Sequence, residues 1–142
     1  MLFQEIIRVF SERYHQKKIE AVVGIEARGF IFGPCLAYTL GVSFVPIRKF
    51  GKLPAAVERI GYTLEYGENC MELHQDALEK GQNVLLVDDL LATGGTAKSS
   101  VELIHRLGAN VSEFLCLVEL VKLSGRAKLL PTPVFSLIQY DE

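Results

Sequence analysis

From Phe3 through Ile6, Ile7 and Phe10 to Tyr14, apolar side chains recur at intervals of three and four, the spacing of one helical face. The chain therefore opens with an amphipathic helix. The period changes at Ile19–Ile25, a short β-branched run closed by Glu26-Ala27-Arg28-Gly29, which reads as a buried strand. Phe30–Leu40 follows as a second helix, in which Pro34 is tolerable only within the first turn because proline has no amide hydrogen to donate. Beyond Gly41, Val42–Ile47 predicts a second strand, with Pro46 hinting at an edge position or an irregular end.

Arg48 to Pro54 carries three cations, a glycine and a proline and reads as a loop, while Glu58–His74 alternates loosely around Tyr66-Gly67-Glu68-Asn69, as a hairpin or long excursion with a mobile tip would. Val84-Leu85-Leu86-Val87 is purely aliphatic, the mark of a parallel strand covered on both faces. Thr96–Leu107 is helical by spacing with Gly108 as its C-terminal cap. Val111–Leu120 and Val134–Ile138 supply two more strands, separated by a basic segment around Arg126 and Lys128. Strands alternating with helices predict an α/β fold, a central mainly parallel sheet flanked by helices, in a single domain over residues 1–142.

Composition narrows the chemistry. With 142 residues, 49% hydrophobic and 23% charged, the chain can bury an ordinary globular core. A formal charge of -2 gives no general attraction to polyanions, so nucleic acid and membrane surfaces are not the expected partners. No apolar run is long enough to span a bilayer, and the start does not read as a secretory signal. Cys35, Cys70 and Cys116 are odd in number and lack metal-ligand spacing, so a reducing, cytoplasmic setting is expected and no protein-bound metal.

The chemistry concentrates in Val84–Thr96, where a buried strand leads through Asp88-Asp89 to Leu90-Leu91-Ala92-Thr93-Gly94-Gly95-Thr96 and then into a helix. Glycines at Gly94 and Gly95 let the backbone approach an anion, Thr93 and Thr96 add hydroxyl donors, and the helix start presents unpaired amides. Carboxylates at Asp88 and Asp89 are placed to accept hydrogen bonds from hydroxyls about one sugar ring away. Taken singly, the acid pair is also how a strand ends and the Thr-Gly-Gly how a turn is made. Joined in this order, they describe a site for a ribose 5-phosphate. The segment lacks the Gly-Lys-Ser/Thr ending of a P-loop.

This segment resembles the phosphoribosyl pyrophosphate signature of the type I phosphoribosyltransferases, in the wording of the adenine-specific branch. The resemblance extends to Glu26-Ala27-Arg28-Gly29-Phe30-Ile31-Phe32-Gly33, to the run from Ile47 to Pro54, to Thr63-Leu64-Glu65-Tyr66-Gly67, and to the last two strands. It implies transfer of a 5-phosphoribosyl group from phosphoribosyl pyrophosphate to adenine, giving AMP and pyrophosphate. By the same resemblance, Arg28 and Lys49 contact the diphosphate, and Arg48 and Lys52 stabilise its charge as it departs. Glu65 handles a proton near the base, Tyr66 closes the site, Leu120 packs on the base, and Ala92 to Thr96 hold the 5-phosphate. Magnesium is expected as a substrate chelate, and the family's habit implies a homodimer. Family members carry a hood segment ahead of the first helix seen here. Its absence from these residues sets two alternatives: a module that binds phosphoribosyl pyrophosphate or AMP without turnover, or a dimer partner of a longer chain.

Overall fold

The computed structural model describes residues 1–49, 57–64 and 67–141. Along the chain run α1 (Leu2–Tyr14), β1 (Ala21–Ile25), α2 (Gly29–Leu40), β2 (Ser43–Lys49), β3 (Val57–Leu64), β4 (Gly67–His74), β5 (Asn83–Leu91), α3 (Gly95–Arg106), β6 (Asn110–Leu120), a short 3-10 turn (Val121–Leu123), α4 (Gly125–Lys128) and β7 (Val134–Tyr140). The strands form one sheet in the order β3-β4-β2-β1-β5-β6-β7. Five strands, from β2 through β1, β5 and β6 to β7, pair in parallel, and the β3–β4 hairpin joins antiparallel at the end of β2. This is the mainly parallel sheet the aliphatic strands predict.

Alternation along each strand sends side chains to two faces, and each face has its own core. Val22, Leu85, Val87 and Leu115 pack with Phe10 and Tyr14 of α1 and Phe32, Leu36 and Ala37 of α2. Val23, Leu86, Phe114 and Cys116 pack on the opposite face with Val101, Leu103 and Ile104 of α3. Full burial of β1 explains its uninterrupted apolar sequence. The buried Glu113 carboxylate ties α1 to β6, accepting a forked pair of bonds from Arg13 at 2.8 and 3.0 Å and a third from the Tyr14 hydroxyl.

Two expectations need correction. Pro34 lies beyond the first turn of α2. The helix enters through tight turns, with Phe30 N–H on Ala27 C=O and Ile31 N–H on Arg28 C=O, both at 3.1 Å. Burial of Phe32, Gly33, Leu36 and Ala37 against the sheet outweighs the amide that Pro34 lacks. The edge position expected at Pro46 holds locally, for although β4 lies outside β2 in the sheet, only β1 pairs with the strand at that residue. Since β4 joins only at Arg48 and Lys49, Pro46, paired with Gly24 on its other side, precedes that ladder and forfeits no bond to it. Arg48 and Lys49 themselves finish β2 instead of starting a loop, held there by Glu72 and Met71 of β4.

Candidate active site at the carboxyl ends of β1 and β5

β1 releases its pairing to β5 at Gly24–Val87, yet β5 continues through Leu91 because β6 keeps pace beside it, Asp88 opposite Cys116 and Leu91 opposite Glu119. The acid pair therefore stands on a strand, at the point where the neighbouring strand has turned away. Arg28, the residue before α2, reaches into this opening, and its Nε lies 2.6 Å from Asp89 Oδ2. Gly29 makes that approach feasible: a Cβ there would stand 2.7 Å from the Val87 carbonyl oxygen. Arg28 remains 68% exposed, so the pair contributes little to stability and leaves the side chain open to solvent at the cavity wall.

Asp88 accepts the Asp89 N–H at 2.8 Å. Burial, together with the adjacent Asp89 charge, pushes the Asp88 carboxyl up to about 7, against the Asp89 amide and Arg28, which favour the ionised form. The two carboxylates are thereby made unequal. Asp89 is held by a cation, and Asp88 is buried without one.

The small-residue loop closes around Gly94, whose φ of 90° suits glycine and whose carbonyl accepts the Lys98 N–H at 2.9 Å. No side chain caps α3. Its first residues and those of the loop line a cavity of about 190 Å³ with Arg28, Asp88 and Asp89 on its wall. That volume suits a phosphate and part of a sugar. A second cavity of about 310 Å³ adjoins it through Arg28, Asp88, Asp89 and Thr96 and adds Glu26 and Lys49.

The fold thus brings together Arg28, Lys49, Asp88, Asp89, Ala92, Thr93, Gly94, Gly95 and Thr96 of the residues predicted from sequence. Arg48 is near but turned to Glu26, 3.4 Å away. Leu120 ends β6 opposite Tyr140 and is not among the residues lining either cavity. Lys52, Glu65 and Tyr66 lie outside the described residues. Sequence reading passed over two participants. Glu26 accepts the Lys49 backbone N–H at 2.7 Å and so fixes the end of β2 beside the opening; its place in the Glu-Ala-Arg-Gly turn was the available signal. Gly125 packs against Ala92 and Gly94 of the glycine loop, a tertiary contact with no local signature.

An α/β sheet with a glycine loop, a helix start and an acid pair at one crevice defines a binder of sugar phosphates. The family described as phosphoribosyl transferase domain matches residues 1–138. Over 138 residues the chain is 55% identical to an adenine phosphoribosyltransferase of Chloroflexus aurantiacus, covering 97% of this chain and 80% of that one. It is 51% identical to adenine phosphoribosyltransferase 1 of Triticum aestivum, covering 99% and 77%. Among solved structures, adenine phosphoribosyltransferase from Saccharomyces cerevisiae, complexed with an imino-altritol bisphosphate and adenine, superimposes with a TM-score of 0.90 at 46% identity, covering 96% and 79%. The chain belongs to the phosphoribosyltransferase family, among relatives named adenine phosphoribosyltransferase.

Proposed function

We propose that the chain transfers the 5-phosphoribosyl group of phosphoribosyl pyrophosphate to adenine, releasing pyrophosphate and forming AMP. The observation that carries this reading is the meeting of Arg28, Asp88 and Asp89 with the Gly94 loop at two adjoining cavities, the second of which sets Arg28 and Lys49 among the carboxylates of Glu26, Asp88 and Asp89. Relatives at about half identity bear that activity in their names.

In this mechanism the loop amides from Gly94 onward hold the 5-phosphate, and Asp88 and Asp89 accept bonds from the ring hydroxyls. Arg28 and Lys49 face the diphosphate, where cations stabilise charge that grows as the anomeric bond breaks, and Arg48, paired with Glu26 beside them, adds to their charge by family resemblance. Lys52 adds to that charge, Glu65 handles the proton at the base, Tyr66 closes the site and Leu120 packs on adenine; these four roles rest on family resemblance. Magnesium, when bound, neutralises diphosphate charge. The donor set fits an ion carried in by the substrate: Asp88 and Asp89 keep one oxygen each beyond their bonds to the Asp89 amide and Arg28, and a hard ion of this kind takes phosphate oxygens and waters as its main ligands.

Residues 1–142 act as one catalytic domain in this reading, because one sheet takes strands from both halves of the chain. Homodimerisation is supported by exposed Leu2, Phe3, Ile31 and Tyr38 on the packed pair α1 and α2. A cytoplasmic setting is supported by Cys35 and Cys116, both free thiols. Incubation with adenine, phosphoribosyl pyrophosphate and magnesium is expected to yield AMP and pyrophosphate in equal amounts. No AMP at saturating substrates overturns the reading.

A further inference from the structure

We propose that Arg126 is a positioning residue for the 5-phosphate loop, acting through Gly125 from outside the substrate site. The inference rests on the phosphoribosyl-transfer reading and adds a residue to it. Gly125 and Gly94 meet backbone to backbone. A Cβ on Gly94 would stand 2.8 Å from the Gly125 carbonyl oxygen, and one on Gly125 would stand 2.5 Å from the Ala92 carbonyl oxygen and 3.2 Å from Gly94 N. The loop that cups the phosphate therefore has the first turn of α4 as its outer wall, and any shift of that turn is transmitted to the loop by contact.

α4 has four residues and cannot hold its own place by helix stability. What holds it is the next side chain. The Arg126 guanidinium donates to Glu119 through Nε at 3.1 Å and Nη2 at 2.6 Å, and through Nη1 to the Val134 carbonyl at 2.9 Å. Glu119 is a firm anchor: its side chain is 5% exposed, it takes a further bond from the Ser136 hydroxyl at 2.7 Å, and it sits on β6 directly opposite Leu91, where β5 gives way to the loop. One charge-assisted fork thus fastens the outer wall of the loop to the strand that bears its root. Lysine could keep the charge but not the fork with its third bond to β7.

Calorimetry with AMP and steady-state kinetics on the full chain test this. Arg126→Ala is expected to weaken AMP binding and raise KM for phosphoribosyl pyrophosphate by roughly ten- to hundredfold, as small misplacements of binding groups do. KM for adenine and kcat should stay close to the parent's, and Arg126→Lys should recover part of the loss. Gly125→Ala, which presses on the loop without touching the ion pair, should show the same selective loss and serves if Arg126→Ala fails to fold. Glu113→Ala, which weakens the fold on the α1 side, should lower the melting temperature without changing AMP affinity. AMP affinity that survives Arg126→Ala with only a lowered melting temperature overturns the proposal, and so does an equal rise in KM for adenine. A parent chain that binds AMP but forms none refutes the catalytic reading and leaves the affinity comparison intact; one that binds no AMP refutes both.

Discussion

Asp88→Asn removes a carboxyl that the fold holds against its own ionisation. Burial and the Asp89 charge raise it from an ordinary 3.8 to about 7. For an acid raised in this way, native and unfolded chains are both protonated below about pH 4, and the group then contributes nothing. Between about pH 4 and pH 7 the unfolded chain alone releases its proton, so stability falls as pH rises; above about pH 7 the penalty is complete and constant. At ~1.4 kcal/mol per pKa unit, the displacement corresponds to roughly 4 kcal/mol. The substituted amide keeps an oxygen for the Asp89 N–H that Asp88 now accepts at 2.8 Å, so the exchange is close to isosteric. Urea unfolding should therefore find the variant level with the parent near pH 4 and more stable by a few kcal/mol near pH 8. A difference that does not change across that interval refutes the reasoning. The same carboxyl should ionise fully when sugar hydroxyls donate to it, so AMP binding near neutral pH should release a proton that the variant no longer releases, measurable as a dependence of binding heat on buffer.

Two further outcomes follow from packing. Gly29→Ala sets a Cβ 2.7 Å from the Val87 carbonyl oxygen; because both partners are backbone, α2 must move off β5, at a cost of about 1–3 kcal/mol in urea unfolding and with a raised KM for phosphoribosyl pyrophosphate as Arg28 recedes from Asp89. An unchanged KM and unfolding midpoint would show that the helix start is not held where the structure has it. Glu113→Ala strips the partner from Arg13 and from the buried Tyr14 hydroxyl and should cost roughly 3 kcal/mol, read as a fall in melting temperature of about 6–12 °C; a fall under a degree or two would mean water replaces the carboxylate.

Hydrophobic period was sufficient for the helices and for the aliphatic strands, because Val22, Val23, Leu85 and Leu86 are buried whichever way the sheet is extended. It failed where a strand depends on its neighbour. Asp88, Asp89 and Leu90 have no strand signal of their own, and they extend β5 because β6 runs alongside, after a register shift near Val84 and Leu85. Arg48 and Lys49 read as loop by composition and are strand by virtue of β4. At the site, the glycine loop and acid pair were legible because their chemistry is contiguous in sequence. The Glu26 and Gly125 contacts bridge 23 and 33 positions or so and have no local pattern; only their identities, an acid beside a turn and a glycine in a basic segment, were visible.

The placement of the site follows from the direction the chain takes after each central strand. From β1 the connection through α2 leads to β2 on one side, and from β5 the connection through α3 leads to β6 on the other, so adjacent strands feed helices on opposite faces. Right-handed crossovers running in opposite directions require that arrangement, and it opens a crevice where the two strands part. Both helix starts then flank one volume: Arg28 precedes α2 and Gly94 precedes α3. In the proposed reaction they have separate tasks, the first meeting the diphosphate side and the second the 5-phosphate. A shift of α2 along its face reaches the site through Arg28 and Asp89, whereas a shift of α3 or of the α4 wall reaches it through Gly94. Substitutions on the two faces should accordingly separate into those that change diphosphate recognition and those that change affinity for AMP, which carries the 5-phosphate but no diphosphate.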